Sequence, residues 1–232
     1  MAEVHPWWII ETEVQWLSAT HCVALTNHTH CQDARRRRLL ACAAFRCVTP
    51  HLGSPVLERA SELAEGFADG ERLTTELAKV RAAITAARQP YRRAILHRCP
   101  EWHAYQAAEC LTRKKSTNIL GVLADIWSLV HAFRNAHGRY EDMGFSNHCE
   151  FARDIFGNPF RPVAFDPAWR TDTALSLARV MYETRDFAAM PILADALQEA
   201  GCEHADVLDH CRDPNATHVR GCWVVDLVLG KG

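Results

Sequence analysis

Residues 116–136 read STNILGVLADIWSLVHAFRNA, and this stretch decides the fold class. Ile119, Val122, Leu123, Ile126, Trp127, Val130 and Phe133 recur at intervals of three and four. That spacing draws one apolar stripe down an α-helix. It is the best helical pattern in the chain, so it is expected to be the central helix. Outward from it the same period repeats, and no stretch sustains the period-2 alternation of a strand. There is no repeat of fixed length and no low-complexity segment. The expectation is an all-α protein, an irregular multi-helix bundle.

The helix boundaries are marked by caps and breakers. Asp33 is placed to cap a helix from Ala34 to about Val48. Ser54-Pro55 opens the next, and Asp69-Gly70 ends it. A further helix is expected from about Glu71 to Arg88, and another from Trp102 to Lys115. Beyond His137-Gly138 the chain turns polar. This suggests an N-terminal helical region over residues 1–137, carrying a basic segment 33–115, and a C-terminal helical subdomain 138–232, or one continuous domain. In the C-terminal subdomain a helix is expected to end at Phe156. Pro159 and Pro162 then enforce an extended loop, packed near the C-terminal helices. Asp166-Pro167 is a helix start, and Gly201 a helix stop. The last helix is expected to run from His218 to Leu229, apolar on nearly every side and therefore buried.

The composition, 48% hydrophobic and 23% charged over 232 residues, is that of a globular protein with a real core. The net charge of −2 selects neither nucleic acid nor a membrane surface. Segment 33–115 is locally basic, with 16 Lys and Arg against 9 Asp and Glu, or +7. Within it Arg35 to Arg38 wrap a whole helical turn, so they cannot all face one ligand. The start MAEVHPWWII has no basic leader, and no run is apolar enough to span a bilayer. A cytoplasmic location with the ten cysteines reduced, and no membrane partner, is the expectation.

The C-terminal stretch from Gly201 is dense in Cys and His. Cys202, His210, Cys211, His218 and Cys222 are candidate ligands for a zinc-like ion. If the last helix starts at His218, then His218 and Cys222 stack at i and i+4 on one face. Against this, His218 serves equally as a helix cap and Cys222 as a small core residue. Asp226 needs a partner if buried, and Arg161, Arg220 or His218 would supply it, most simply as a structural ion pair. Phe160, Arg161 and Trp169, on the Pro-rich loop, are candidates for partner binding.

Four stretches carry a resemblance. They are Arg36–Ala43 (RRRLLACA), Ala64–Gly70 (AEGFADG), Asp154–Val163 (DIFGNPFRPV) and His218–Trp223 (HVRGCW). Together they resemble an uncharacterised bacterial domain family expanded in planctomycete genomes. The resemblance implies no catalytic residue or cofactor. The family's recurrence as a module beside other domains implies an adaptor or regulatory role.

No nucleophile elbow, phosphate loop, HExxH or dinucleotide fingerprint is present. The expected function is therefore a non-catalytic helical module that recognises another protein. The alternative is a metal-binding domain or metal-dependent enzyme using the C-terminal Cys and His residues. A further alternative is nucleic-acid binding through the basic N-terminal half.

Overall fold

The computed structural model describes residues 9–92, 99–113, 121–126, 128–129 and 148–231. Among these the secondary structure is helical throughout, with no strand. The chain is an all-α, irregular multi-helix fold. No helix among the described residues is long and apolar enough to cross a membrane.

The described chain forms two compact units. One is Cys31–His148, and the other joins Met1–His30 to Cys149–Gly232. The boundary expected at 137/138 lies outside the described residues.

The chain begins with two short helices, α1 (Glu13–Ser18) and α2 (Cys22–Asn27). A capping box holds the first turn of α1: Gln15 N–H donates to the Thr12 hydroxyl, and the Gln15 side chain accepts from the Thr12 N–H. Helices this short are marginal alone. Trp16, 1% exposed, supplies the burial that fixes α1.

Unit Cys31–His148 is built on α3 (Ala34–Val48), α4 (Pro55–Ala68), α5 (Thr74–Arg88) and α6 (Pro100–Leu111). Asp33 accepts the Arg36 N–H and caps α3 as its position implied. Pro55 opens α4 at its first turn. Leu39, Leu40, Phe45, Leu57 and Leu111 are wholly or almost wholly buried. Each such side chain contributes roughly 1.5–3 kcal/mol. Residues 121–126 and 128–129 are helical, with Val122, Leu123, Ile126 and Leu129 buried. The rest of the expected central helix, Trp127 and Val130 included, lies outside the described residues.

The arginines of this unit are engaged internally. Arg35 pairs with Asp69 at 3.0 Å. Arg38 is buried, donates to the Leu111 carbonyl and lies over the Phe67 ring. Arg46 clasps the buried Glu65 with two bonds, 2.6 and 3.1 Å. Arg88 bonds Glu109 at 2.7 Å and covers Trp102.

The second unit's helices are α7 (His148–Phe156), α8 (Asp172–Thr184), α9 (Met190–Glu199), α10 (Ala205–Arg212) and α11 (Trp223–Leu229). Two starts differ from the sequence reading. Asp166-Pro167 opens only a single 3-10 turn, Pro167–Trp169, and α8 begins at Asp172 under a Thr171 cap. Thr171 accepts the Ala174 N–H and so provides the better entry. The last helix starts at Trp223, not at His218. Gly221 sits at φ 98, a conformation that breaks any helix running through it. Gly230 does stop the helix, at φ 68.

The core of this unit joins Ala178 and Met181 of α8, Leu193 and Leu197 of α9, Val207 of α10 and Val224 and Val228 of α11. Val163, Phe165 and Trp169 of the Pro-rich loop pack against it, as the prolines implied. Arg170 ties the loop to α11 by donating to the Leu227 carbonyl at 2.9 and 3.2 Å. That carbonyl belongs to the last turn of α11, where it also accepts the Gly230 N–H at 3.3 Å.

Candidate metal centre

Four side chains from three segments meet beside this core. Asp154 comes from α7, His210 from α10, and His218 and Cys222 from the turn preceding α11. One donor atom of each lies within 4.8 Å of the other three. Asp154 Oδ1 is 2.9 Å from His218 Nδ1 and 3.2 Å from His210 Nε2. Cys222 Sγ is 3.3 Å from His210 Nε2 and 3.9 Å from His218 Nδ1.

Local structure explains the convergence. Asp154 is on the inner face of α7, between the buried Ala152 and Ile155. Its second oxygen accepts the Val219 N–H at 2.8 Å. That bond fixes the backbone of the 218–222 turn against α7. Because the chain reverses at Gly221, His218 and Cys222 face one point although no helix joins them. Gly157, at φ 69, lets Trp223 pack close behind: a Cβ there would lie 3.3 Å from Trp223 Cγ. Trp223 in turn packs on the His210 ring, centroids 5.1 Å apart.

The site is shielded. The Asp154 side chain is 2% exposed, that of His218 7% and that of His210 18%, and Cys222 is wholly buried. Burial alone would raise the Asp154 pKa, but hydrogen bonds from His210 and His218 hold it below the ordinary carboxylate value. Burial, and then the neighbouring Asp154 charge, push the Cys222 thiol well up. A thiol in that state is no free nucleophile.

The atom pairing separates two chemistries. A nucleophile–base–acid triad needs the imidazole to bond its two partners through different nitrogens. Here His210 meets both Asp154 Oδ1 and Cys222 Sγ through the same Nε2. His218 meets both through the same Nδ1. Donors that share one focus in this way are arranged as the first coordination sphere of an ion would require.

Of the five ligands expected from the sequence, His210, His218 and Cys222 are brought together. Cys202 and Cys211 are buried in the apolar core of the unit, outside this group. Burial pushes the Cys211 thiol up to about 12. Sequence reasoning misses Asp154, since nothing in the sequence brings α7 to the C-terminal turn.

The other expected contacts resolve differently. Arg161 pairs with Asp206 at 2.6 Å and Glu13 at 3.2 Å, where the sequence suggested Asp226. Arg220 lies over the Tyr182 ring at 4.6 Å. Asp226 is fully buried on α11. Phe160 packs on His28, centroids 5.6 Å apart, and Trp169 on Phe165 at 5.2 Å. All ten cysteines are free thiols. No family model, curated protein or solved structure matches this chain.

Proposed function

We propose that this chain is a metal-binding helical module that acts by docking to a protein partner rather than by catalysis. One observation carries the reading: Asp154, His210, His218 and Cys222 point one donor each at a common focus. A carboxylate, two imidazoles and a thiol are donors suited to zinc and its neighbours. Three chain segments meet there, so a bound ion would hold α7, α10 and the turn before α11 together.

Docking is supported by apolar side chains left in solvent. Val14 and Leu17 on α1 are 74% and 56% exposed, although Trp16 between them is buried. The Pro-rich loop is less suited than its sequence implied, because Phe160, Arg161 and Trp169 are engaged within the chain. The nucleic-acid reading loses support for a similar reason: Arg35, Arg38, Arg46 and Arg88 already have partners. A reducing, bacterial cytoplasmic setting agrees with ten free thiols. Membership of the planctomycete-expanded family is included in the proposal and adds no activity.

The test is reconstitution. Chelator-treated, untagged chain should take up zinc to one ion per chain, and His218→Ala or Cys222→Ala should abolish the uptake. Undiminished uptake by both variants would refute the assignment.

A further inference from the structure

The coordination sphere can be read further, on the assumption that the site binds an ion at all. We infer that the ion is zinc-like and held in a closed, four-coordinate site by protein donors alone, with no position open to water or substrate.

The first ground is geometry. With metal–nitrogen and metal–oxygen bonds of about 2.0–2.1 Å and a metal–sulfur bond of about 2.3 Å, a tetrahedron has edges of roughly 3.3 Å between nitrogen and oxygen and roughly 3.6 Å between nitrogen and sulfur. The nitrogen–oxygen contacts are 2.9 and 3.2 Å, and the nitrogen–sulfur contacts 3.3 and 3.9 Å. All four lie within a few tenths of an ångström of those edges. An ion takes the place of the protons these atoms now share.

The second ground is the donor count. A carboxylate can offer two oxygens, but Asp154 Oδ2 is occupied by the Val219 N–H at 2.8 Å. Asp154 therefore contributes Oδ1 alone, and four residues give four donors. The third ground is the wall. Cys222 and Asp154 are buried, Phe187 lies 6.0 Å from the His218 ring, and Trp223 lies against His210. A catalytic zinc instead keeps a fourth position for water. Donor chemistry selects the ion class. A thiolate with imidazoles suits zinc, cobalt or nickel, whereas magnesium and calcium take oxygen donors. The ion's role is then to staple the fold, which separates a structural module from a metal-dependent enzyme.

Cobalt is the probe, because its spectrum reports coordination number. The full chain, stripped with chelator, is titrated with Co²⁺. The expected result is one equivalent bound, with the intense visible bands of four-coordinate cobalt and a near-ultraviolet sulfur-to-cobalt band. Zinc should displace both. Cys222→Ser should lose the sulfur band, while Cys211→Ser, which removes a buried thiol outside the quartet, should keep it. Circular dichroism of both variants reports that they remain folded. One equivalent of cobalt with the weak spectrum of six-coordination would overturn the closed site and leave the metal-binding reading standing. Loss of the sulfur band in Cys211→Ser but not in Cys222→Ser would overturn the ligand assignment. Failure to bind cobalt would sink the metal-binding reading itself.

Discussion

Replacing Asp154 with Asn separates the ion's contribution to stability from the fold's own. An ion at a thousand times its dissociation constant adds about 4 kcal/mol to the folded state. For 232 residues, each kcal/mol moves the thermal midpoint by about 2–4 °C. Chelation of the wild-type chain should therefore lower its midpoint by about 8–16 °C. An asparagine at this position keeps the shape and can still accept the Val219 N–H. It loses the charge that now accepts from His218 at 2.9 Å and His210 at 3.2 Å. Two weakened charge-assisted bonds in a buried site cost about 3 kcal/mol, or a further 6–12 °C. The variant should melt low with or without chelator, the chelator-dependent increment being absent. Differential scanning calorimetry, with and without chelator and with zinc restored, measures both terms. An Asp154→Asn chain that keeps the full chelator-dependent shift would refute the reasoning, as would a wild-type midpoint indifferent to chelator.

Three further outcomes follow from neighbouring contacts. The Arg153 guanidinium donates to the Trp16 carbonyl at 3.0 and 3.2 Å and to the Ala19 carbonyl at 2.6 Å. Arg153→Ala should cost about 2–4 kcal/mol and expose the 12–19 segment to proteases without changing zinc affinity; unchanged protection of that segment contradicts this role. Gly157→Ala should cost about 1–2 kcal/mol in urea melts, because φ 69 disfavours a side chain and the new Cβ meets Trp223; an unmoved midpoint contradicts it. Burial pushes His148 down to about 4, so it is neutral when folded and gains a proton on unfolding. The unfolded state binds more protons between about pH 6.5 and 4, so stability is present above that window and lost as pH falls through it. Urea melts in chelator should lose about 2 kcal/mol from about pH 7.5 to 5 through this group, and His148→Leu should lose correspondingly less; identical pH slopes would remove the assignment.

The fold class was legible because helical periodicity is a local signal. Ala34–Val48 and Pro55–Ala68 begin where Asp33 and Pro55 suggested, and His148–Phe156 ends where expected. The misplaced starts have local physical causes that a cap pattern alone does not resolve. Asp166-Pro167 has good N-terminal chemistry, but Thr171 five residues later captures the helix. Gly221 in a positive-φ conformation outweighs the apolar pattern that suggested a helix from His218. That difference matters for the site. The sequence pairs His218 and Cys222 through a helix that does not exist, yet they meet because the turn brings them together. Asp154 was invisible for a different reason: 56 residues separate it from His210, and only tertiary packing closes that distance. That Cys222, and not Cys202 or Cys211, joins the quartet likewise follows from packing, since all three are buried in the same core and look alike as sequence.

The central claim is that Asp154, His210, His218 and Cys222 hold an ion. Elemental analysis of the full chain, purified without a histidine tag or added chelator, tests it most directly. The account predicts one zinc per chain, falling to background in Asp154→Asn. Folded, monodisperse protein with substoichiometric metal, even after incubation with zinc and removal of excess, would contradict it.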